Sequence, residues 1–168
     1  MPVNIFIFAA PVKSGKTTTL MNWVGNKKNI GGLLAPDIDG LRRLYTLRDR
    51  QLHDYQLTDE AAIVAKPQEM VTICKFNFAA PAFASARQIL LEDSQQDFEW
   101  VVVDEIGKLE LKGEGLEPAA AEVIEYFKTG RAKGRLLLIV RDELVEQAVK
   151  HYGLVEYRII RLGEAMPD

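Results

Sequence analysis

IFIFAAPVKSGKT, residues 5–17, decides the fold. An apolar, β-rich run stops in a loop of small residues, Gly15-Lys16-Thr17 follows, and the helix-compatible TTLMNWV comes next. The order strand, loop, helix wraps backbone N–H groups around an anion, sets the positive end of a helix dipole behind them, and brings a lysine within reach of the outer phosphates. The phosphate-loop spacing G-x-x-x-x-G-K-[ST] is met by Ala10, Pro11, Val12, Lys13, Ser14, Gly15, Lys16 and Thr17, with Ala10 in place of the first glycine. With Thr18 these are the expected nucleotide-binding residues. An ordinary βα turn containing the same triplet is the alternative. A Cβ at Ala10 forgoes glycine's access to positive φ, so the loop must enter through a conformation open to alanine.

A second segment supplies the acids. Trp100-Val101-Val102-Val103 is a continuous apolar run, the pattern of a strand buried on both faces, and it ends in Asp104 and Glu105. In an alternating α/β chain the ligand lies at the carboxyl ends of the strands, where the loop and the acids both fall. Asp104 is placed to hold magnesium, commonly through water, with the Thr17 hydroxyl. Lys16 would neutralise phosphate oxygens, and Glu105, directed away from Asp104, is the candidate to polarise an attacking water. The alternative for the two acids is a strand that simply ends in surface charge.

Phosphoryl transfer also calls for fixed cations around the reacting phosphate. Arg141 directly follows the apolar run LLLIV, residues 136–140, and is expected on the ligand side. Arg131 and Arg135 enter that strand from its other end and read as a solvated basic turn. Arg42 and Arg43 read as exposed strand charges or, if their section folds over the nucleotide, as an arginine supplied in cis. The expected catalytic residues are thus Glu105, Lys16 and Arg141, and the expected metal ligands Thr17 and Asp104.

The 168 residues fit one domain with a sizeable core, and 48% apolar with 27% charged residues is an ordinary globular composition. A formal charge of -3 leaves nucleic acid without an electrostatic footprint. No apolar run approaches membrane-spanning length, and the single Cys74 has no disulfide partner, so the expected compartment is cytoplasmic with no membrane partner. His53 and His151 lie far apart, without metal-site spacing, and read as surface residues.

Between the two motifs, residues 30–34 start a new extended segment, and LRRLYTL and LHDYQL read as a small β-meander, with one amphipathic helix over 41–52 as the alternative. Residues 58–68 read as loop or short helix, 70–78 as one strand and 82–92 as a helix. Pro118 starts a helix that runs to about 128 and stops at Gly130. Asp142 is expected to cap a helix reaching 151, and 157–162 make a half-exposed last strand. The expected architecture is an α/β P-loop NTPase: a mostly parallel sheet with helices on both faces, one domain over 1–168, and a β-meander insertion at about 31–78.

Gly15-Lys16-Thr17-Thr18, the pair Gly31-Gly32, the G-x-R-x-x-aromatic run from Gly40 to Tyr45, and VVVDEIGKLEL over 101–111 resemble the cancer-related nucleoside-triphosphatase family, small single-domain P-loop proteins. The similarity touches most of the chain, and DEIGKLEL is its specific part. It implies a RecA-like core and slow hydrolysis of nucleoside triphosphates with Mg2+, with ATP or GTP as substrate and little base preference. By position it assigns phosphate binding to Lys16, magnesium to Thr17 and Asp104, and water activation to Glu105, the roles the residues suggest by themselves. The chain departs from the family at Ala10, at Ala35 and Pro36, where the family tends to Thr-Glu, and at Leu44, where it favours glycine. These departures bear on turnover more than on binding.

Two further functions share these motifs. A small nucleotide kinase would need a second substrate pocket and a basic lid, hinted at by TGRAKGR, residues 129–135. A nucleotide-dependent binding switch with vestigial turnover would act through the exposed edge of the meander. No protein partner can be named from the sequence.

Overall fold

The computed structural model describes residues 2–168. The chain runs β1 (Ile5–Ala10), α1 (Lys16–Gly25), β2 (Ile30–Leu34), β3 (Asp37–Ile38), β4 (Leu41–Thr46), β5 (Gln51–Asp54), α2 (Asp59–Val64), β6 (Met70–Ile73), β7 (Phe76–Ala79) and α3 (Ala80–Ser94). It continues with β8 (Trp100–Ile106), α4 (Lys108–Leu111), α5 (Ala119–Lys128), β9 (Arg135–Arg141), α6 (Val145–His151) and β10 (Arg158–Arg161). The main sheet has the order β10-β1-β9-β8-β2-β4-β3, with β5 added on β4. From β10 to β2 all pairings are parallel, and from β2 outward they turn antiparallel.

Alternation along the strands explains why the central runs are apolar throughout. Ile5, Ile7 and Ala9 join Val101, Val103, Leu136, Leu138 and Val140 in a core covered by α3, α5 and α6. Phe6, Phe8, Ala10, Trp100, Val102, Leu137 and Ile139 face the other way, onto Leu20, Trp23 and Val24 of α1. A strand covered on both faces has no solvent side, so neither of its registers can carry polar residues. Within the α1-side core Trp100 meets Phe6 and Trp23 edge to face, with centroids 5.2 and 5.1 Å apart. The two indole N–H groups donate to the Pro167 and Asp168 carbonyls.

Strand β2 changes partners at Gly32. Ile30–Gly32 pair with β8, and Leu33 and Leu34 pair with β4. Gly32 has φ +91°, and a Cβ there would lie 2.1 Å from the Val102 carbonyl oxygen. Only glycine allows this approach. Its N–H donates to the buried Asp93 carboxylate at 2.7 Å.

The expected meander divides in two. Residues 30–32 belong to the parallel sheet through β8, β3 to β5 extend it antiparallel, and β6 with β7 forms a separate hairpin. The single strand expected over 70–78 is that hairpin, turned at Cys74, whose φ is +55°. Residues 41–46 are strand, so the helix alternative over 41–52 falls away. Asp142 does not cap α6: it opens a one-turn 3-10 segment, Asp142–Leu144, and accepts the N–H of Glu143 while α6 begins at Val145.

Candidate functional site

The loop leaves the buried end of β1 and reaches α1 through two residues of positive φ, Lys13 at 54° and Gly15 at 84°. Gly15 is the residue just before the helix, and nothing lies within 4 Å of the Cβ it lacks, so its backbone conformation, not space, calls for glycine. Ala10, at the first loop-glycine position, is a fully buried strand residue in register with Arg141, outside the positive-φ set. Ser14 Oγ donates to the Pro11 carbonyl at 2.6 Å and closes the loop on itself. None of the described hydrogen bonds uses the backbone N–H of Lys13, Ser14, Gly15, Lys16 or Thr17 as donor. Successive free N–H groups at a helix start form an anion-binding concavity.

Strand β9 lies between β1 and β8, so the acids reach the loop across it. In β8, Asp104 pairs with Ile139 and Ile106 with Val140, which leaves Glu105 as an extra residue in the strand. Such a bulge sends neighbouring side chains to separate targets. Asp104 Oδ2 accepts the Ala35 N–H at 2.9 Å, whereas Asp104 Oδ1 is buried with no hydrogen-bond partner. Asp104 and Thr17 line one small crevice with Leu20, Met21, Leu34 and Pro36. Burial pushes the Asp104 carboxyl above the usual range, against the pull of the Lys16 charge. A buried carboxylate oxygen without a partner, beside a hydroxyl, suits a hydrated Mg2+ held by oxygen ligands. Among the described residues no group of three or more His, Cys, Asp or Glu forms a metal cluster.

Glu105 meets the cations. Lys16 Nζ donates to Glu105 Oε2 at 2.7 Å, joining segments 89 residues apart, and Arg141 Nε stands 3.8 Å from Glu105 Oε1. Burial would raise this carboxyl, but the charge and hydrogen bond of Lys16, with Arg141 and Arg42, hold it below the ordinary glutamate value. The structure thus brings Lys16, Thr17, Asp104, Glu105 and Arg141 to one place. Arg131 and Arg135 lie apart from it, stacked on Tyr126 and Trp100. His53 and His151 are exposed.

Sequence reading missed Glu110. Its carboxylate accepts the N–H of Gly107 and of Leu116, each at 2.9 Å, and so ties the segment after β8 to the entry of α5. Burial pushes it up to about 7, against those two hydrogen bonds. The spacing from Gly107 to Glu110 is that of a helix-capping acid and was the available signal. A wider groove of about 620 Å³ lies between α6 and β10, lined by Val145, Val149, Tyr157 and Ile159 among others, and contains none of residues 10–17.

No family model matches the chain, and no curated protein matches it. Among solved structures it is similar to THEP1 from the hyperthermophile Aquifex aeolicus, with a TM-score of 0.67 and 17% identity over 94% of this chain and 89% of that one. The likeness shows the fold, a mostly parallel α/β sheet covered by helices. Among the described residues no helix is long and apolar enough to cross a membrane.

Proposed function

We propose that the chain binds a nucleoside triphosphate, ATP or GTP with broad base preference, and hydrolyses it slowly to the diphosphate and phosphate in the presence of Mg2+. One observation carries this reading: Lys16 of the loop meets Glu105 of the acid pair at 2.7 Å, while Thr17, the next residue, shares a crevice with Asp104. In a surface strand end neither meeting would be needed. The loop N–H groups from Lys13 to Thr17 cradle the phosphates, and Lys16 neutralises the outer oxygens. Thr17 and Asp104 would hold Mg2+, which supplies charge neutralisation on the phosphate oxygens.

Glu105 takes the proton of the attacking water. As drawn by Lys16 and Arg141 it is a weak base, and an arriving phosphate competes for those cations and restores its basicity. Arg141 remains to offset charge developing on the transferred group. Phosphate release by the parent and by Lys16→Ala, with and without a nucleoside monophosphate acceptor, tests the reading. Release that depends on Mg2+ and Lys16 and is indifferent to the acceptor supports hydrolysis; transfer to the acceptor replaces it with a kinase.

A second reading, the binding switch, is favoured by the bond from Ala35 N–H to Asp104 Oδ2. It couples the metal acid to the segment that leads into β3 and β4, so metal arrival would be felt at the antiparallel end of the sheet.

A further inference from the structure

On β4, Arg42 and Arg43 are chain neighbours in opposite surroundings. Arg43 pairs at 3.6 Å with Asp54, whose side chain is 94% exposed, and donates Nε to the His53 carbonyl. Arg42 shares its strand face with Leu44, which is buried in one core with Ala35, Tyr55 and Val103. Its described ionic partner is the exposed Asp37, 3.5 Å from Nε, a loose pair that leaves most of the guanidinium's donors uncommitted.

Backbone bonds fix where that side chain starts. Arg42 N–H donates to Gln56 Oε1 at 2.9 Å, its carbonyl accepts the Gln56 N–H at 3.0 Å, and Arg43 N–H donates to the Pro36 carbonyl at 2.8 Å. Pro36 lines the crevice of Thr17 and Asp104, and Ala35 before it holds Asp104. Strand β4 is therefore anchored to the rim of the site by its own main chain. The Arg42 charge is felt at both Asp104 and Glu105, the carboxylates that Lys16 also faces.

We propose that Arg42 contacts the terminal phosphate of a triphosphate seated in the loop, so that β4 distinguishes triphosphate from diphosphate. The contact presupposes the nucleotide site proposed at residues 10–18. Lys16 and Arg141 both face Glu105, so their charge is divided between that carboxylate and an arriving phosphate. The planar guanidinium can meet two phosphate oxygens at once, a geometry that lysine lacks. A diphosphate lacks that terminal group.

Equilibrium binding of a non-hydrolysable ATP analogue and of ADP, both with Mg2+, to the parent, Arg42→Ala, Arg42→Lys and Arg43→Ala tests the contact. Circular dichroism of each variant checks folding. Arg42→Ala should weaken the triphosphate by about tenfold and leave ADP within about twofold. Arg42→Lys should fall between, and Arg43→Ala should match the parent. Equal weakening of both nucleotides in Arg42→Ala, or of neither, overturns the contact and leaves the nucleotide site standing. Should Arg42→Ala fail to fold, an unchanged triphosphate-to-diphosphate ratio in Arg42→Lys overturns it instead. A parent that binds neither nucleotide removes the site itself, and the contact with it.

Discussion

The two ends of the sheet use charge differently. At the parallel end Lys16, Glu105 and Arg141 come from three distant segments, are mostly shielded from water, and depend on one another for neutralisation. At the antiparallel end Arg42 with Asp37 and Arg43 with Asp54 are near neighbours in sequence, and their carboxylates are 60% and 94% exposed. Solvent screens the second kind of pair, so losing one partner costs little, whereas a shielded group left alone must be desolvated without compensation. A phosphate seated at the parallel end, as proposed, would alter all three partners there at once.

Removing Lys16 should strain this contrast most. Lys16→Ala is expected to lower phosphate release by about a thousandfold while circular dichroism stays that of the parent. A folded variant with unimpaired turnover would sink the phosphate-loop reading. Glu105→Gln should reduce turnover by roughly a hundredfold, since the amide keeps size but loses the base. The ion pair adds an expectation for binding: without a carboxylate competing for Lys16, nucleotide affinity should hold or rise. An unchanged hydrolysis rate in this variant would favour the binding switch.

Asp104→Asn should cost about tenfold in turnover at low Mg2+ and recover as Mg2+ is raised, a recovery that Glu105→Gln should not share. A magnesium titration of both variants separates the two acids.

Glu110 tests the buried end by pH. Its folded carboxyl holds a proton up to about 7, against an ordinary value of 4.5. Between those values the folded chain binds more protons than the unfolded one, so stability falls as pH rises through that window and levels off above it. Urea midpoints measured from pH 4.5 to 7 should decline in the parent and decline less in Glu110→Gln. Parallel slopes would mean that Glu110 does not titrate there. The smallest effect should come from the other end, where Arg43→Ala is expected to shift unfolding free energy by less than about 0.5 kcal/mol. A larger loss by urea titration would show that the antiparallel pairs are not screened as their exposure implies.

What could be read in advance follows the same division. The strand, loop and helix of residues 5–25 and the acids after Val103 are contiguous signals, set by double-sided burial and by one glycine at a helix start. The hairpin over 70–79 was hidden because its turn uses positive φ at Cys74, a residue with no turn preference, and Arg50 turns the chain in the same way. Arg42 and Arg43 were indistinguishable in sequence, since which face of β4 meets the site depends on pairings with Pro36 and Gln56. Glu110 escaped notice because one of its two backbone partners, Leu116, belongs to no element that the motif itself suggests.

Both tryptophans of the chain, Trp23 and Trp100, sit edge to face in the core beneath α1, the helix that starts at Lys16 behind the loop after β1. Trp100 is anchored in the strand that carries the acids, and Trp23 rides on the helix. The intrinsic emission of the protein therefore comes from one coupled indole pair spanning the two halves of the site. A displacement of α1 against β8 would change the quenching of that pair, so nucleotide arrival at the proposed site can be followed by intrinsic emission without an added dye.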